Sequence, residues 1–258
     1  MTNIIWVIIN AFLSLRACFK ELVINLRWLF VGFLLFESVF FVADYFPFLA
    51  KITFIFGLSV SSILYWVIDL SILALVAIRV HRTLLPSDIL NTQSASLISS
   101  SESTQRYLIR AVWLLLIFGF LIWGAVFFGF FIPIYLSSFF NQFVGIPSSI
   151  YFVIWLSVPL FIFYKISPIA LVLPSIANYE PLTFSAAMTL GQKHRPLMFV
   201  ILIVIPVLIA LVFYMPFYFF QFDFDHLTTT LLSGVLYFLY TVIEVSLLSA
   251  GFARAKFV

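Results

Sequence analysis

Charge is what this sequence lacks most. Asp, Glu, Lys and Arg make up 9% of its 258 residues against 64% hydrophobic residues, and the mean hydropathy is +1.21. A water-soluble fold would have too little polar surface to cover so large a core, so lipid has to be the solvent. Cysteine is nearly missing as well. The single Cys18 excludes an intramolecular disulfide and a cysteine-based zinc cluster. A net charge of +3 is small for a nucleic-acid binder, and no nucleic-acid partner is expected. HExxH, GxSxG and phosphate-loop patterns are absent, so no catalytic residue is assigned, enzyme activity is the less favoured reading, and no cofactor is expected. Asp223, Asp225 and His226 in "FDFDHL" carry plausible ligand atoms, but three side chains on one loop are too few for a metal site, and none is assigned.

What is present is aromatic and apolar. The 34 Phe, 11 Tyr and 6 Trp suit a bilayer, where ring bodies pack against acyl chains and Tyr and Trp tips reach the headgroups. About 20 apolar residues cross roughly 30 Å of hydrocarbon as a helix. Six runs qualify, at about 28–46, 53–79, 109–136, 149–176, 196–220 and 229–253. The expected fold is therefore an all-α, six-span membrane bundle forming a single domain. The start "IIWVII" has no basic residue before it and no small-residue cleavage site after it, which argues against a cleaved signal. Residues 1–27 read instead as an amphipathic interfacial helix: Arg16, Lys20 and Arg27 fall near one stripe, while Ile5, Ile9, Phe12, Phe19 and Ile24 can enter the acyl boundary.

Lys and Arg set the orientation. Eleven of them fall on the side holding both termini and the 80–108 and 177–195 loops, and Lys51 alone falls on the other. This bias places both termini in the cytoplasm of a bacterial plasma or inner membrane. The serine-rich 86–106 stretch reads as a flexible connector. The 178–195 loop reads as a short interfacial helix before span five, with Pro181 in its first turn and Phe184 and Met188 on one face. His81, Arg82, Lys193, His194 and Arg195 stand at span ends as candidate lipid-headgroup contacts, so membrane lipids are expected partners.

Four ionisable residues stand inside the spans. Glu37, Asp69, Lys165 and Glu244 each lie some nine to eleven residues from the basic end of their run, roughly 15 Å deep. Each would cost about 2.5–3.5 kcal/mol facing lipid, so all four should turn inward. Ser62 and Tyr65 share the Asp69 face, and Tyr237, Tyr240 and Thr241 precede Glu244 at helical spacing. Spans one, two, four and six are thereby assigned to a polar interior, and three and five to packing and lipid contact. Asp69 is the best-matched partner of Lys165 in depth, with Glu244 next. Pro168 deprives the Tyr164 carbonyl of its helical donor one residue from the lysine, as in the broken helices that line transport sites.

The stretch "ISPIALVLPSIANYEPLTFSAAMTLGQKHR", with "IRVHRTLL" at the end of span two, resembles six-span bacterial proteins related to the membrane domain attached to some glycerophosphoryl diester phosphodiesterases. In that group a span ending in Pro and small residues runs into a short helix with a Thr-x-Gly-like end, for which Thr189 and Gly191 are the counterparts here. The resemblance implies a membrane fold and supplies no active-site residues.

The leading functional expectation is movement of a small solute, lipid headgroup or proton through a centre of Lys165, Asp69, Glu244, Glu37 and Tyr240, with a small anionic solute as the ligand Lys165 would suit. The alternatives are a scaffold or assembly factor whose buried charges only fix helix register, and a membrane enzyme acting on lipid phosphates.

Overall fold

The computed structural model describes residues 2–44, 60–85, 100–127, 157, 160–179, 181–220 and 226–257. All regular structure among them is helical: α1 (Thr2–Ala17), α2 (Phe19–Asp44), α3 (Val60–Leu84), α4 (Ser100–Val126), α5 (160–166), a 3₁₀ turn at Ser167–Leu171, α6 (Val172–Ala177), α7 (Phe184–Leu190), a 3₁₀ turn at Gln192–His194, α8 (Arg195–Phe199), a π segment at Val200–Val204, α9 (Ile205–Phe220) and α10 (His226–Phe257). Five stretches are long and apolar enough to cross a membrane: Phe19–Val39, Thr104–Leu121, Leu160–Ala177, Gln192–Val212 and Thr228–Lys256. The protein is thus an all-helical, multi-pass integral membrane protein. The expected second span is α3, which carries Asp69, Arg79 and Arg82 and is not among the five.

Helix α10 is the central post. It packs on α1, α2 and α3, while α3 also packs on α2 and α4, and α4 on α6. Phe33, Val76, Val80, Leu171, Phe238 and Phe252 anchor the main core, and Val7, Ala11, Leu197, Ile201 and Leu247 form a second one. Ile5, Phe12, Phe19, Trp28, Leu35, Phe120 and Val212 are exposed, the arrangement expected where lipid covers the outer face.

Several boundaries differ from those expected. The first helix stops at Ala17, not at residue 27, and α2 starts at Phe19, so the N-terminal helix and the span divide at Cys18. Ile5, Ile9, Phe12, Phe19 and Ile24 do face outward, but α1 docks by Val7 and Ala11 on α8, the π segment and α10 rather than lying free at the interface. Helix α4 begins at Ser100, inside the serine-rich stretch read as a connector, because Glu102 and Arg106 pair at i, i+4 and give that polar end a helical tie. Pro181 lies outside the short helix before α8. That helix starts at Phe184, where Thr183 supplies the N-cap and its Oγ1 accepts from Ala186 N at 3.1 Å.

Pro168 has the local effect expected of it, with a different outcome for the freed carbonyl. The chain tightens from α to 3₁₀ winding over Ser167–Leu171, and Ser167 Oγ donates to the Tyr164 carbonyl at 3.1 Å. A hydroxyl one residue before the proline therefore takes the place of the missing N–H. Pro159, the earlier proline of the same apolar run, lies outside the described residues.

Candidate functional site

Glu37 on α2, Tyr65 and Asp69 on α3, and α10 meet in one layer. Tyr65 Oη donates to Glu37 Oε1 at 2.9 Å, and its ring stacks on Phe36 with centroids 5.4 Å apart and planes 16° apart. Asp69, one helical turn beyond Tyr65, is 2% exposed and lies close enough to Glu37 for their charges to interact, while its Oδ1 has no hydrogen-bond partner among the described residues. α10 approaches at Gly234, where an added Cβ would stand 3.6 Å from Glu37 Cγ. An added methyl there would meet it at ordinary van der Waals distance.

One turn further along α10, Tyr237 links this layer to a second. Its ring lies 6.3 Å from Phe33, and it lines a cavity of about 290 Å³ between α3, α4, the 3₁₀ turn with α6, the π segment and α10. Glu244 stands in that cavity with Tyr107, Tyr240 and Thr241, and the remaining wall is aliphatic or aromatic. Residues 237, 241, 244 and 248 recur at helical spacing, so one face of α10 delivers all of them. Glu244 makes no hydrogen bond or ion pair with a described residue, and no Lys or Arg lines the cavity. A larger groove of about 630 Å³ runs between α1, α2 and α10, but its wall is almost wholly apolar and holds none of this chemistry.

The expected residues therefore divide. Glu37, Asp69, Glu244 and Tyr240 lie in or beside the centre, and Lys165 does not. Lys165 is exposed, its Nζ stands 5.0 Å from the Phe161 ring centroid, and no ion pair joins it to Asp69, Glu244 or any other described residue. The reason is azimuth. Phe163 is the buried residue of α5, stacked 5.6 Å from Phe118, and two residues along an α-helix is about 200° of turn, which sends Lys165 to the opposite face.

The basic ends also divide. His81 is 0% exposed and so is no headgroup contact; its Nδ1 lies 2.7 Å from Ser249 Oγ on α10. Ser249 donates its own hydrogen to the Val245 carbonyl at 2.9 Å, which leaves Nδ1–H as the donor to Ser249 and Nε2 as a buried acceptor without a partner among the described residues. Burial pushes the pKa of this imidazole, which lies past the expected end of its span, down to about 3. Arg82 sits over the Tyr179 ring at 4.6 Å, and Tyr179 holds a left-handed φ of 61°. Lys193 is exposed, and His194 and Arg195 are half-buried.

Three participants were not foreseen. Tyr107 precedes the expected third span yet is buried against the Glu244 cavity; its spacing to Ala111 and Leu114 was the available signal. The Tyr65–Glu37 bond needed the relative rotation of two helices, and Ser249 carried no sequence mark beyond being a hydroxyl in an apolar helix. Asp44 and Ser62 have side chains outside the described set, as do Asp223, Asp225 and His226, and among the described residues no group of His, Cys, Asp and Glu is arranged to hold a metal ion.

No family model matches the chain, and no curated protein or solved structure does.

Proposed function

We propose that this protein moves protons, or a small solute together with protons, across the membrane through the acid–tyrosine centre. One observation supports the reading: three carboxyl groups lie among tyrosine hydroxyls inside the bundle, Glu37 bonded to Tyr65 beside Asp69, and Glu244 in the cavity that Tyr107, Tyr237 and Tyr240 line, with no described Lys or Arg paired to them. Acids placed in hydrocarbon without a basic partner are costly, and a proton is the smallest cation able to neutralise them in turn. The anionic solute that Lys165 would have suited has no cation to meet it in the cavity. In this reading the basic side faces the cytoplasm, which the Lys and Arg bias supports.

The scaffold reading has one observation in its favour, since the Tyr65–Glu37 bond also clips α2 to α3. Reconstituted vesicles separate the two. With a pH-sensitive dye inside and a potential imposed, wild type should acidify or alkalise the lumen, and Asp69→Asn and Glu244→Gln should each remove most of that flux while the protein still elutes as a single species. Wild-type flux no greater than that of empty vesicles would refute the transport reading and favour the scaffold.

A further inference from the structure

The cavity at Glu244 has a composition that selects its occupant by charge. Its one ionisable carboxyl shares the lining with the phenol rings of Tyr107, Tyr237 and Tyr240, and apolar side chains from α3, α4, α6, α10, the 3₁₀ turn and the π segment complete the wall. A carboxylate in such surroundings is stabilised most by a positive charge held against it. A metal cation would be poorly served, because it needs several strong oxygen ligands and the lining offers one carboxyl, Glu244, beside neutral hydroxyls, of which that of Thr241 already donates to the Tyr237 carbonyl at 3.0 Å. A cation that brings its own apolar body is better matched. Its charge would sit at Glu244, aromatic faces would attract it further, and its carbon surface would meet the aliphatic wall. The volume of about 290 Å³ is at the lower end of small-molecule sites, which sets the size.

We propose that this cavity binds a small monovalent organic cation, an amine or quaternary ammonium with one aromatic or aliphatic substituent. The proposal names the solute class for the transport reading and rests on that reading only for what happens after binding.

Benzyltrimethylammonium is the probe, neopentylbenzene its neutral isostere, and benzenesulfonate the anionic control. Titration calorimetry on the full chain in nanodiscs, with empty nanodiscs as the partition blank, should show the cation binding at least about tenfold more tightly than the isostere, and the anion not binding. Glu244→Gln, which keeps the shape, should abolish that preference. Absence of cation binding to wild type, equal binding of cation and isostere, or a preference that survives Glu244→Gln would each overturn the proposal. The wild-type comparison of ligands holds even if the variant misfolds. Vesicle proton flux keeps the two readings apart: flux without cation binding sinks this inference alone, and cation binding without flux sinks the transport reading alone.

Discussion

An alanine at Gly191 should destabilise the protein by about 1–3 kcal/mol, the usual cost of forcing a methyl into a filled core. Gly191 is buried at the C-terminal end of α7 with φ −86°, so its backbone accepts any residue and only space is at issue. A Cβ there would stand 2.5 Å from Pro168 Cβ and 3.0 Å from Leu171 Cδ1. The proline carbon belongs to a ring fixed to the backbone and cannot swing aside, so the 3₁₀ turn itself must shift. Two other glycines serve as controls for the same added methyl. At Gly251 the nearest atom, 2.9 Å away, is Ile201 Cδ1, the end of a flexible side chain, and the change should cost less than at Gly191. At Gly32, inside α2, nothing lies within 4 Å, and alanine should gain about 0.5–1 kcal/mol from reduced chain freedom. Thermal midpoints in one detergent, followed by loss of the monodisperse elution peak, should therefore fall for Gly191→Ala, move little for Gly251→Ala and rise for Gly32→Ala. A Gly191→Ala protein as stable as wild type would refute the close seating of α7 on the 3₁₀ turn.

Three further outcomes can be measured. Tyr65→Phe deletes the bond to Glu37 and should cost about 1 kcal/mol in unfolding titrations, and under the transport reading the loss of vesicle flux should exceed what that cost explains. His81 titrates near 6.5 when unfolded and about 3 when folded, so between those values the unfolded chain holds a proton that the folded one refuses. Stability should therefore decline as pH drops below 6.5, and the wild-type advantage over His81→Gln should shrink by about 2 kcal/mol between pH 7 and pH 5; a constant advantage would show that the imidazole is not sealed between α3 and α10. Lys165→Met should leave both thermal midpoint and proton flux within error of wild type, because the ammonium meets only Phe161 among the described side chains; loss of flux would return the lysine to the centre.

Composition and length were enough to read an all-helical membrane protein, because apolar runs of spanning length have no other stable form in lipid. Depth was legible only in part: Glu37 and Asp69 do meet beside Tyr65, but Gly234 is the residue of α10 that faces Glu37, and Glu244 stands ten residues, about 15 Å, further along that helix in a separate cavity. Azimuth was not legible for Lys165. Depth alone made Asp69 its natural partner, but partnership requires two helices to face each other, and in α5 that is governed by Phe163 and by a winding change after Ile166. His81 was missed for a related reason. A histidine next to arginines at a span end has the sequence context of a surface anchor, and only the approach of α10 with Ser249 reveals that it is sealed inside. Helix ends were the least legible, since serine and charge near residue 100 suit a connector and a helix start equally until Glu102 and Arg106 are seen to pair.

The tight turn at Ser167–Leu171 acts on the residues before it like a coupling on a shaft. It winds at about 120° per residue where an α-helix winds at about 100°, and over its five residues the excess accumulates to about 100° of twist and about 2.5 Å of length. Everything upstream, Lys165 included, is turned through more than a quarter circle from the bearing an unbroken coil would give it. How far down a side chain sits and which way it points are thus set by different parts of the chain, the first by distance from the membrane edge and the second by the pitch of a short stretch beyond it.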